Sequence, residues 1–94
     1  MKITPRNIVK HELIGLEVEV VESRHRGYVG VKGVVVDETM NLLFIDTEKG
    51  VKAIPKKPST FRFKLPDSTL VDVEGWAILA RPEDRVKRRI KRRW

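Results

Sequence analysis

Through the middle of this chain apolar positions alternate with polar ones, and the alternation gives way to other patterns at both ends. Thr4-Pro5-Arg6-Asn7 reads as a helix start. Thr4 caps it, and Pro5 takes the first helical position, where its missing N–H would be unpaired in any case. Ile8, Val9, Leu13 and Ile14 supply a short apolar stripe and Gly15 stops it, so a short helix over about residues 5–12 is expected. From Leu16 the period becomes two: Leu16, Val18 and Val20 face one side of a strand, Glu17 and Glu19 the other. Ser23-Arg24-His25-Arg26-Gly27-Tyr28 is polar and reads as a loop. A second strand is expected over about 30–37, bent at Gly30 or Gly33, and a third begins at Leu42. Glu48-Lys49-Gly50 is a hairpin turn, Val51 to Ile54 a fourth strand ended by Pro55, and Lys56-Lys57-Pro58-Ser59 a basic loop. In Thr60 to Leu65 the alternation is clean, with Phe61, Phe63 and Leu65 inward and Arg62 and Lys64 outward. Leu70 to Val73 and Trp76 to Leu79 read as two last strands. Beyond them Val86, Ile90 and Trp94, spaced by four, mark one face of a closing helix.

Five to six short antiparallel strands with bends at glycine predict a mainly β chain built as a small closed barrel, which hides its strand edges. The 94 residues make one domain: an N-terminal helical segment over 1–15, the barrel over 16–80 and a basic C-terminal helix over 81–94.

Charge sharpens this picture. The chain carries 20 Lys and Arg against 13 Asp and Glu, a formal charge of +7. Eight of the basic residues and only two acids fall in residues 81–94, a net +6, so a nearly neutral domain ends in a cationic appendage. Such a tail points to a polyanion: Lys and Arg neutralise phosphates and release counterions, and the planar guanidinium matches phosphate oxygens. Loop cations at Arg24, Arg26, Lys56 and Lys57 add to it, with Tyr28 an aromatic neighbour suited to stacking on RNA. No cysteine is present and His11 and His25 are the only histidines, so neither a thiolate nucleophile nor a protein-built metal site is expected. Asp37-Glu38 and Asp46-Thr47-Glu48 sit at turns and strand ends, where acids are common, and no base stands by them; no catalytic residue is assigned. No apolar run approaches the ~18 residues of a membrane span, and no apolar stretch resembles a secretory signal. A soluble cytoplasmic protein with no membrane partner is the expectation.

Several segments, in order, resemble one family. His11-Glu12-Leu13-Ile14-Gly15-Leu16, Gly30-Val31-Lys32-Gly33 with Val36-Asp37-Glu38-Thr39, Ile54-Pro55-Lys56, Phe61-Arg62-Phe63, and Gly75 followed by Arg81-Pro82-Glu83-Asp84-Arg85 are similar to archaeal ribonuclease P protein component 1. The resemblance runs from about Ile8 to Arg89. It implies an Sm-like barrel flanked by terminal helices. It implies a subunit of ribonuclease P, the enzyme that removes the 5′ leader of precursor tRNA, in which the RNA subunit performs the cleavage with bound magnesium. The chain itself would bind no cofactor. Its partners would be the ribonuclease P RNA, precursor tRNA in the holoenzyme, and a small zinc-ribbon protein subunit.

From charge placement, the expected RNA contacts are Arg24, Arg26, Lys56, Lys57, Arg62, Arg81, Arg85, Arg88, Arg89, Arg92 and Arg93. Ile3, Ile8, Val9 and Leu13 of the first helix are the expected surface for the partner protein, although packing on the chain's own core competes with that role. Other readings are an Sm-like interaction scaffold whose basic tail is incidental, a stand-alone nuclease, and an Sm-like ring former.

Overall fold

The structure is a computed structural model and describes Asn7, Ile8 and residues 12–80. Most of the expected N-terminal helix and all of the expected C-terminal helix lie outside those residues. Six strands are present: β1 (Glu17–Ser23), β2 (Lys32–Glu38), β3 (Leu42–Thr47), β4 (Gly50–Pro55), β5 (Ser59–Lys64) and β6 (Leu70–Glu74). They form one antiparallel sheet in the order β4-β3-β2-β1-β5-β6.

The clean alternation of the sequence is what fixes β5. Phe61, Phe63 and Leu65 are buried while Arg62 and Lys64 are exposed, and Val18 and Val20 of β1 lie on the same inner side, opposite Phe63 and Phe61. The two valine runs are less simple. Val20-Val21 and Val34-Val35-Val36 break strict alternation, and the ladder registers slip there, between Val20 and Glu22 and between Val35 and Asp37. Each slip inserts one extra residue and reverses the inward and outward sets downstream of it. In β2 the effect is large. Val35 opposes Ile45 on the inner face; with Val36 as the extra residue, Glu38 then opposes Leu43 on that same face. A carboxylate is thereby delivered to the core.

One cluster of buried apolar side chains spans the sheet, from Ile54 on β4 to Val73 on β6, and includes Ile8, Leu13 and Ile78. The sheet curls around it, but no ladder joins β4 to β6, so the hydrogen bonding draws an open sheet with two edge strands and not the closed barrel expected. The reason lies after β6. In place of the further strand expected over Trp76 to Leu79, Gly75–Ile78 forms a 3₁₀ turn, which leaves no strand among the described residues to bridge the edges. Gly75 is required there. Its Cα runs so close to the Lys56 carbonyl that a Cβ would overlap it. The short crossing buries Ile78 and turns Trp76 outward. No helix among the described residues is long and apolar enough to cross a membrane.

Candidate nucleic-acid interface

Lys56 follows β4 and sits two residues from Ile54, so it points to the same inner side, and it is fully buried. Its ammonium lies 2.6 Å from Glu38 Oε2 and donates to the carbonyls of Thr39 at 2.8 Å, Ile78 at 2.8 Å and Ala80 at 3.0 Å, with that of Met40 at 3.3 Å. The Glu38 side chain is equally buried. Lys56 therefore does not reach RNA, and its assignment as an RNA contact is corrected: desolvation makes an isolated buried ammonium costly, and this one is satisfied inside the protein. What it does instead is tie the β2–β3 turn to the segment after β6, at the point where the sequence passes to its basic tail.

Lys57, the next residue, is exposed. Its loop is fastened to the loop after β1, because Arg24 N–H donates to the Pro58 carbonyl at 3.1 Å and the hydroxyls of Ser59 and Ser23 lie 3.0 Å apart. Arg24, Arg26 and Lys57, placed far apart in sequence, thus share one end of the fold. All three are exposed, and no salt bridge joins any of them to an acid among the described residues. The local geometry is ordered: His25 N–H donates to Ser23 Oγ at 3.2 Å, and Arg26–Tyr28 is a 3₁₀ turn. Tyr28 packs on the core and meets the His25 ring edge-on at 5.5 Å, so it braces the loop and is not the open aromatic face expected.

Arg62 is exposed but engaged. Its Nε and Nη2 donate to the two carboxylate oxygens of Asp72 at 2.7 and 3.0 Å. That hydrogen bonding, with the opposite charge beside it, raises the guanidinium above its usual pKa; the same bonds hold the Asp72 carboxyl below the usual carboxylate range. Glu19 lies opposite Arg62 on β1, and Glu17 opposite Lys64 with 3.8 Å between charges, so the outer face of the sheet is close to neutral. The cationic surface is the loop end.

The other expected residues divide. Ile8 and Leu13 are buried in this chain's own core, which corrects their assignment to a partner surface: side chains with no accessible area have nothing to offer a second protein. Ile3, Val9, Arg81, Arg85, Arg88, Arg89, Arg92 and Arg93 lie outside the described residues. Among the acids considered as ligands, Glu38 serves Lys56, and Asp37 Oδ1 accepts from the Glu38 N–H at 2.8 Å, a local turn contact. The residue missed from sequence is Trp76, which is 62% exposed. A tryptophan after a strand-like run reads as core, and only the 3₁₀ turn reveals otherwise.

The chain is 48% identical over 87 residues to ribonuclease P protein component 1 of Methanosphaera stadtmanae, covering 93% of this chain and 94% of that one. It is 49% identical over 90 residues to the protein of the same name from Methanocaldococcus jannaschii, covering 95% and 94%. Among solved structures it is similar to Mth11, described as a homologue of human RNase P protein Rpp29, with a TM-score of 0.59 and 45% identity over 79% of this chain and 96% of that one. The family model for ribonuclease P/MRP subunit p29 matches residues 6–88, and the chain belongs to that family.

Proposed function

We propose that this chain is a non-catalytic, RNA-binding protein subunit of ribonuclease P. The observation that carries the reading, beside family membership, is the loop end. Arg24, Arg26 and Lys57 stand exposed on two loops held together, with no acid partner among the described residues, while the outer face of the sheet is neutralised. Folded RNA packs phosphates closer than their charges favour. Cations fixed on a small rigid domain lower that repulsion and do part of the work of magnesium. Double-helical RNA hides its base edges in a deep groove, so such contacts read shape more than sequence. Phosphodiester cleavage is left to the RNA subunit and its magnesium, and the chain contributes RNA structure and substrate binding to removal of the tRNA leader.

The reading takes the basic residues 81–94 as further cations for the same RNA. Ala80, whose carbonyl accepts from Lys56 and whose N–H donates to Met40 O at 2.9 Å, fixes where they begin. The reading includes helical ends completing the Sm-like core, a zinc-ribbon subunit docked beside the N-terminal segment, and residence in the cytoplasm. The test is reconstitution. Leader removal by the RNA with its other subunits is measured against magnesium, with and without this chain. The expected result is a lower magnesium requirement when it is present; identical curves would refute the proposal.

A further inference from the structure

Exposure of an indole is costly, and Trp76 is the most exposed of the large apolar side chains described. Its position is nevertheless built. The flanking Gly75 and Ile78 are buried, and Nε1–H donates to Glu74 Oε2 at 2.7 Å, which fixes one edge of the ring. Gly75 packs on the carbonyls of Lys56 and Ser59, so the backbone that leads into Trp76 borders the Lys57 loop, to which Arg24 is tied through Pro58. A held aromatic on a segment that borders a loop of exposed cations is a combination suited to unpaired nucleotides: the ring stacks on a base while the cations take nearby phosphates.

We infer that Trp76 is a stacking platform for an unpaired base of RNA, an inference that rests on the RNA-binding reading above. The Glu74 carboxylate at the ring edge disfavours a phosphate there and leaves phosphates to Lys57 and Arg24. Every base has a π-face, so the contact is tolerant of sequence. Stacking carries no charge, so it adds affinity without adding to the salt dependence, and this separates it from the loop cations.

The test uses the full chain and ribonuclease P RNA. Trp76→Ala is expected to weaken binding by about 5- to 140-fold, the range that one stacked base contributes at tenfold per ~1.4 kcal/mol. The slope of log affinity against log salt should stay unchanged, and Trp76→Phe should recover most of the loss. Photocrosslinking with RNA carrying 5-iodouridine reads the unaltered protein, whatever the variants do to folding, and should join RNA to Trp76. Trp94→Phe leaves Trp76 as the sole indole, and RNA should quench its fluorescence. Unchanged affinity of Trp76→Ala, crosslinks confined to other residues, or quenching only when another protein subunit is added would overturn the inference while salt-dependent RNA binding stands. Absence of salt-dependent binding by the unaltered chain would overturn both readings.

Discussion

Lys56→Met removes the ammonium from the buried junction and leaves an apolar chain of comparable reach. Glu38 is then a buried carboxylate without its cation, and the carbonyls of Thr39, Ile78 and Ala80 lose their shared donor. Removing one partner of a buried pair costs about 3–5 kcal/mol. A domain of this length is stable by only about 5–14 kcal/mol, so the loss is a large fraction of the whole. At a urea slope of ~2 kcal/mol per molar, the midpoint should fall by roughly 2 M. The double variant Lys56→Met with Glu38→Leu removes the stranded charge and should regain part of the loss. It should not regain all of it, because the carbonyls stay buried without a donor, at about 1–3 kcal/mol each where water does not enter. Equilibrium urea unfolding of the wild type, both single variants and the double variant closes the cycle. A loss below ~1 kcal/mol for Lys56→Met, or additive effects of the two changes, would refute the claim that this pair fastens the turn to the C-terminal segment.

Three more outcomes follow from the same geometry. Arg24→Glu with Lys57→Glu should weaken RNA binding and reduce the log affinity–log salt slope by about 1 for each phosphate left without its cation, measured by titration across salt concentrations. Asp72→Asn frees the Arg62 guanidinium and should raise RNA affinity at low salt. Because the Asp72 carboxyl is held below its unfolded pKa, the stability it contributes is present above pH ~4 and is lost only as pH falls through the lower folded value, so thermal melts of wild type and variant should converge in acid and differ by the same small amount from pH ~5 to ~7. Gly75→Ala drives a methyl group into the Lys56 carbonyl and should destabilise the fold by about 1–3 kcal/mol or more, whereas the same change at the open Gly27 should be nearly neutral by the same urea assay.

Most of the strands are legible in the sequence because each needs only one buried face, and alternating residues state which one. The turn at Gly50 and the inward set of β5 are of this kind. What alternation does not contain is a register slip: nothing in Val34-Val35-Val36 says which valine is the extra one, and therefore that Glu38 turns inward. Lys56 misleads for a related reason. A lysine between a proline and another lysine looks like a solvated loop, and its burial depends on an acid 18 residues earlier and on carbonyls more than 20 residues later. Arg24 and Lys57 are legible as cations but not as neighbours, since one hydrogen bond that unites their loops is between backbone atoms, which carry no residue signature, and the other pairs two serines 36 residues apart. Trp76 is hidden by the 3₁₀ turn that stands where a strand is expected.

The extra residue in β2 makes the register of that strand part of the chemistry of the core. Draw Val36 into the ladder, and Asp37 takes the inward place opposite Leu43 while Glu38 faces water, stranding the lysine that waits on the far side. A one-residue slip would thus act as a polarity inversion, even though every side chain needed for the ion pair is present. Excising Val36 would not: Val35, Asp37 and Glu38 then alternate regularly against Ile45, Phe44 and Leu43, so loss of one of these valines should spare the ion pair.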